Sequence, residues 1–140
     1  MEFVLRINGK KCGRTVKVLN SYYPEEYAKT AKAEEASYYD YGVLELDANV
    51  EEDYGYFGID MEDENVNTEE IEVCGYPEKN KMYSGVGAMR SCEEFIYYRM
   101  STQQGQSGSP IFKREKGSQY VIGVHFGAKE ENNVAVRLTP

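Results

Sequence analysis

The residues best suited to chemistry lie in Ser101-Thr102-Gln103-Gln104-Gly105-Gln106-Ser107-Gly108-Ser109-Pro110. Hydroxyls and glycines crowd there between two strand-like runs, Phe95 to Met100 and Ile111 to Lys113, and a proline closes the turn. A serine hydroxyl becomes a useful nucleophile when a tight turn exposes it beside donors aimed at the charge its attack creates. Ser107 suits the first role. Gly105 and Gly108 allow backbone angles that a β-carbon forbids, and the N–H groups of Gly105 and Ser107 are the natural donors to an oxyanion. Taken alone, the stretch also reads as an ordinary Gly/Ser loop, so its surroundings have to decide.

Few other side chains offer chemistry. Asp40 sits among Tyr38, Tyr39 and Tyr41 just before the apolar run Val43-Leu44, where a carboxylate removed from water needs a hydrogen-bonded or charged partner such as an imidazole. A plain turn aspartate is the alternative. The chain has one histidine, His125, within the alternating run Val121 to Phe126. Its three cysteines, Cys12, Cys74 and Cys92, lack C-x-x-C spacing, so no zinc site is expected. They read as buried thiols, with a Cys74–Cys92 bridge the one intrachain pairing singled out. Neither a metal nor a cofactor is called for; the acidic stretch from Glu51 to Glu70 lacks the ordered ligand spacing of a calcium loop.

Composition narrows the partners. The 140 residues fit about one domain, with 41% hydrophobic content and a net charge of −8. Lys and Arg do not cluster beyond short pieces such as Lys113-Arg114-Glu115-Lys116, which argues against nucleic acid. No apolar run approaches the ~20 residues of a membrane-spanning helix. No signal peptide is read at Met1-Glu2, and the compartment stays open.

The elements that must hold Ser107 are strands. Phe3, Leu5 and Ile7 alternate, Asn8-Gly9 signals a hairpin, and Val16 and Val18 resume the alternation. Opening directly on a strand suggests that a pairing segment precedes it. Pro24 to Ser37 reads as a short helix with Pro24 at its first position, or as an exposed connector. The acidic stretch reads as a solvated linker with an aromatic clip at Tyr54 to Ile59. Then come six short strands, Ile71–Cys74, Met82–Met89, Phe95–Met100, Ile111–Lys113, Tyr120–Phe126 and Val134–Leu138, punctuated by turn residues. That rhythm predicts an antiparallel sandwich or barrel.

The ordered segments Val73-Cys74-Gly75-Tyr76-Pro77, Tyr83 to Gly87, Thr102 to Phe112, Val121 to Gly127 and Asn133 to Val136 resemble the C-terminal barrel of trypsin-like serine proteases. They are most similar to the glutamyl-endopeptidase branch, with its V-x-G-Y-P, T-x-x-G-x-S-G-S-P and I-G-[IV]-H-[WF]-G motifs. Tyr39-Asp40-Tyr41-Gly42-Val43 resembles the family's segment bearing the triad aspartate. The resemblance implies an all-β, double antiparallel β-barrel fold. Residues 1–60 would be a remnant of the first barrel, incomplete but carrying Asp40, and 61–140 an essentially complete second barrel.

By the same resemblance, Ser107 is the nucleophile, Asp40 orients the catalytic imidazole, and the Gly105 and Ser107 N–H groups form the oxyanion hole. Thr102 and His125 would bind an acidic side chain, while Phe126, Gly127 and Ala128 would pair with an extended polypeptide substrate. The family is secreted. Gln106 stands where vertebrate trypsins carry an aspartate, so activation through a buried N-terminal ion pair is not expected. The larger departure is the general base: the family's histidine precedes its aspartate, and no histidine precedes Asp40 here. Two readings follow. One is a serine endopeptidase cleaving after Glu or Asp, inactive as this chain alone, its histidine supplied by a preceding segment or a second chain. The other is a protease-derived domain without catalysis that binds acidic peptide segments.

Overall fold

The computed structural model describes residues 1–5, 13–30, 36–61, 70–78, 81–92 and 94–139. Two antiparallel systems account for most of them. The first is a three-stranded sheet of β1 (Glu2–Val4), β2 (Thr15–Tyr22) and β3 (Val43–Leu46), in the order β1-β2-β3. Phe3 faces Val16, and Tyr22 faces Val43. The Asn8-Gly9 turn expected between β1 and β2 lies outside the described residues.

The second system contains all six strands expected from the sequence, each somewhat longer or shifted at its ends: β5 (Glu70–Glu78), β6 (Lys81–Cys92), β7 (Phe95–Tyr98), β8 (Pro110–Glu115), β9 (Ser118–Lys129) and β10 (Asn132–Arg137). They run in the order β10-β7-β6-β5-β8-β9, and β9 pairs back onto β10. The sheet therefore closes into a six-stranded antiparallel barrel, which removes its edges. A two-residue strand, β4 (Gly58–Ile59), adds to β9 in parallel at Tyr120 and Val121.

Alternation explains the closure. In β5 the pattern sends Ile71 and Val73 inward, both fully buried, and in β7 it sends Ile96 and Tyr98 inward. These residues, with Met89, Ile111, Ile122 and Ala135, form one core to which every strand of the barrel contributes. Burying a side chain of this size is worth ~1.5–3 kcal/mol. The first sheet differs. Among its described residues only Val16 is buried, while Phe3, Leu19 and Val43 are 41%, 54% and 61% exposed. It is an incomplete layer beside a finished barrel.

In the segment read as a short helix or an exposed connector, Pro24 to Ser37, the described residues show one helical turn, α1 (Glu25–Lys29), with Pro24 as its N-cap rather than its first residue, and a further helical residue at Ala36; residues 31–35 lie outside the described residues. A 3₁₀ turn (Ser37–Tyr39) leads directly into Asp40. In the acidic stretch, Glu51–Tyr54 forms one helical turn, α2, ending at Gly55, whose φ of +72° suits glycine. The aromatic clip then docks: the Phe57 ring lies 5.0 Å from that of Phe112, and Lys113 Nζ pairs with Asp60 at 2.6 Å. Cys74 carries a free, half-buried thiol, so the Cys74–Cys92 bridge is not formed. Burial, and then the Glu72 charge, push that thiol's pKa up. Cys12 lies outside the described residues.

Candidate active site

The serine turn is held by its own main chain and by β9. Gln106 N–H donates to Gln103 O at 3.2 Å and Ser109 N–H to Gln106 O at 3.0 Å. The buried Gln106 side chain accepts the Gln103 N–H at 2.7 Å, so the residue standing where trypsins carry an aspartate folds the turn back on itself. Two further bonds fasten the turn to β9: Gly108 N–H to His125 O at 2.7 Å, and His125 N–H to Ser109 O at 2.9 Å. Gly105 and Gly108 adopt φ of +99° and +86°, a region that a β-carbon disfavours.

The glycines of two distant motifs serve this same turn. A Cβ on Gly105 would come within 2.8 Å of the Pro77 carbonyl, and one on Gly75 would collide with the Ser109 hydroxyl. The Gly75-Tyr76-Pro77 and Gly105-Gln106-Ser107-Gly108-Ser109 segments are therefore two halves of one packed contact. It leaves Ser107 exposed, its Oγ donating to Phe126 O at 3.3 Å. Neither the Gly105 nor the Ser107 N–H has a partner among the described residues. Exposed, unpaired donors beside a serine hydroxyl are what a developing oxyanion requires.

His125 is 4% exposed, and its ring meets β7. Tyr98 Oη lies 2.6 Å from His125 Nδ1, with the two rings edge to face at 5.9 Å. Burial pushes the imidazole below its ordinary value of 6.5, against a main-chain hydrogen bond at Val134 that favours the charged ring. Burial also pushes the Tyr98 phenol up, which keeps it protonated. The half-buried Thr102 donates its hydroxyl to Asn133 Oδ1 at 2.5 Å, and Asn133 Nδ2 donates to Met100 O at 2.7 Å. Thr102 and His125 thus each join a short relay ending in the barrel wall.

Asp40 is exposed and ends the 3₁₀ turn, its N–H reaching Ser37 O at 3.4 Å. With Tyr23, Tyr27, Ala28, Tyr39 and Tyr41 it lines a cleft of 380 Å³. A ladder of rings connects its segment to the serine: Tyr38 stacks on Phe95 at 4.8 Å, and Phe95 tilts against Phe126 at 5.7 Å, whose carbonyl holds Ser107 Oγ. Beyond His125, which is bonded to Gly108 and Ser109, β9 has no strand partner on its β8 side among the described residues. Phe126, whose carbonyl accepts from Ser107, Gly127 and Ala128 border this open stretch, and Gly127 and Ala128 pair with Val134 and Asn133 of β10.

The structure thus joins Thr102, Gly105, Ser107, His125 and Phe126 through one turn and one strand, and ties Asp40 to them through rings. Sequence reasoning missed Phe95 and Tyr98, which read as ordinary strand residues, and the hydrogen-bonding role of Asn133 in β10. A buried tyrosine or asparagine must hydrogen-bond, and that was the available signal. Among the described residues no group of His, Cys, Asp and Glu is arranged to hold a metal ion.

The closed six-stranded barrel with an incomplete antiparallel sheet beside it has the chymotrypsin-type fold found in trypsin-like serine proteases. In sequence the chain is similar to a glutamyl endopeptidase. It is 31% identical over 80 residues to a glutamyl endopeptidase of Bacillus licheniformis, a match spanning 54% of this chain and a quarter of that protein. Among solved structures, a Glu endopeptidase in complex with MPD superposes with a TM-score of 0.75 at 24% identity, over 90% of this chain and 60% of that one. The protease Anisep from Arthrobacter nicotinovorans gives 0.76 at 14% identity, over 96% and 67%. The NS6 protease of murine norovirus 1 gives 0.55 at 17% identity, over 71% and 62%. No family model matches the chain.

Proposed function

We propose that this chain carries the nucleophile, oxyanion hole and specificity pocket of a serine endopeptidase that cleaves a polypeptide after an acidic residue. The observation that carries the reading is the serine turn: an exposed Ser107 hydroxyl beside the unspent N–H groups of Gly105 and Ser107, stapled to the strand bearing His125. Ser107 attacks the carbonyl and forms an acyl-enzyme, the two N–H groups hold the oxyanion, and the open side of β9 at Phe126 to Ala128 pairs with the substrate backbone. Each oxyanion donor contributes ~3–4 kcal/mol in comparable sites. Thr102 and His125 meet the side chain before the scissile bond.

Asp40 is the orienting carboxylate, and its tyrosine-lined cleft is the seat for an imidazole. His125, the only histidine, is committed to Tyr98 on β7 and does not serve as the base for Ser107. The base therefore comes from a histidine outside these residues, in a segment or chain that completes the first barrel. Without it, turnover falls by ~10⁶. That commitment of His125 also favours a second reading, a module that binds acidic peptide segments in the same cleft without cutting them.

The test supplies the missing half. The chain, joined to a first-barrel segment bearing a histidine, is expected to cleave peptides after Glu much faster than after Arg or Leu. Ser107→Ala removes cleavage and His125→Ala removes the preference. Equal rates on all three peptides contradict the pocket assignment, while binding without cleavage supports the second reading.

A further inference from the structure

Hydrogen-bond direction inside the pocket carries one step beyond the peptidase reading, on which it rests. Asn133 is buried between two partners, Met100 O and Thr102 Oγ1. A carbonyl only accepts, so the amide must turn its Nδ2 toward Met100. Its Oδ1 then faces Thr102 and also only accepts. The Thr102 proton is therefore spent on Asn133, and Thr102 shows the open side of the pocket its lone pairs.

The same reasoning fixes His125. Tyr98 is 1% exposed, and the imidazole is its one hydrogen-bond partner among the described residues. Were Tyr98 to accept, its own proton would be buried and unpaired, at a net loss. It therefore donates to Nδ1, which leaves the single ring proton of the neutral imidazole on Nε2. The pocket accordingly offers one acceptor at Thr102 and one donor at His125, for which the Val134 main chain competes.

A carboxylate accepts only and is best met by two donors; a carboxamide brings one acceptor and one donor. We propose that Asn133 is a specificity-determining positioning residue, and that through it the pocket takes the carboxamide of glutamine alongside the carboxylate of glutamate. To bind glutamate with both groups, Thr102 has to turn its proton away from Asn133 and leave a buried amide oxygen unpaired. Glutamine carries no such cost.

The single histidine makes the test direct. The full chain, labelled with ¹⁵N, is titrated with N-acetylated peptide acids ending in glutamate or glutamine, following the one imidazole spin system and fitting a Kd for each. The expected result is a Kd for glutamine within tenfold of that for glutamate. Asn133→Leu, which frees the Thr102 proton, is expected to shift the ratio toward glutamate by about tenfold while the imidazole stays the Nε2–H tautomer. That unchanged tautomer shows that the barrel around His125 is intact; where Asn133→Leu does not fold, the wild-type ratio alone decides. A glutamine Kd more than tenfold weaker in the wild type overturns the proposal, as does a folded Asn133→Leu with an unchanged ratio. Both outcomes leave the peptidase reading standing. Failure of both peptides to bind at millimolar concentration overturns the proposal and the peptidase reading together.

Discussion

At the scale of residues, the site is a set of polar groups whose partners are already assigned. His125 shows the consequence most simply. Its pKa lies below 6.5 because burial disfavours the charged ring. As pH falls through 6.5 the unfolded chain takes up the proton first, so folding stability drops, and it levels off once pH is below the folded value. Glu72, whose carboxyl Arg114 holds below its ordinary value through a direct hydrogen bond, titrates beneath this window. Urea unfolding at pH 7.5 and 5.5 should show lower stability at the acidic end, with the difference much reduced in His125→Leu. An equal pH difference in that variant contradicts the neutral-histidine assignment. The sequence made Ser107, Thr102 and His125 legible because short motifs surround them. It left Tyr98 and Asn133 illegible because their partners lie 27 and 31 residues away, across strands whose register no local pattern states.

At the scale of elements, the barrel strands were legible because inward positions alternate with outward ones and turn residues separate them. Pro24 to Ser37 was legible only as a helix or an exposed connector, because its Ala, Glu and Lys favour helix without marking a buried face; α1 buries no residue, so packing adds little to propensity there. The motif glycines, by contrast, had a reason that only three dimensions display: β5 and the serine turn pack so closely that neither side tolerates a β-carbon at Gly75. Gly75→Ala drives a methyl into buried Ser109, and overpacking of this kind costs ~1–3 kcal/mol. Denaturant unfolding should show the loss as a lowered midpoint with an unchanged slope; an unshifted midpoint contradicts the packed-contact account. The Tyr38–Phe95–Phe126 ladder works at this scale too, since it is what carries the Asp40 segment to the strand holding Ser107.

At the scale of the whole molecule, a complete barrel stands beside an incomplete sheet, and the chemistry divides along that line. In the proposed reading the nucleophile, oxyanion donors and pocket belong to the barrel, and Asp40 belongs to the segment leading into the exposed sheet. The net charge of −8 repels acidic peptides at long range. Any preference for them therefore resides in the pocket, and added salt should strengthen rather than weaken it. An activated ester separates the parts present from the base: a p-nitrophenolate leaving group needs no proton, so Ser107 can be acylated slowly, while release of the acyl group still requires water activated by a base. The most direct measurement is the intact mass of the chain after incubation with p-nitrophenyl esters of N-acyl glutamate, arginine and leucine. The assignment of Ser107 predicts one long-lived acyl adduct, formed fastest from the glutamate ester and absent in Ser107→Ala. An adduct that persists in Ser107→Ala, or equal rates from all three esters, would contradict it.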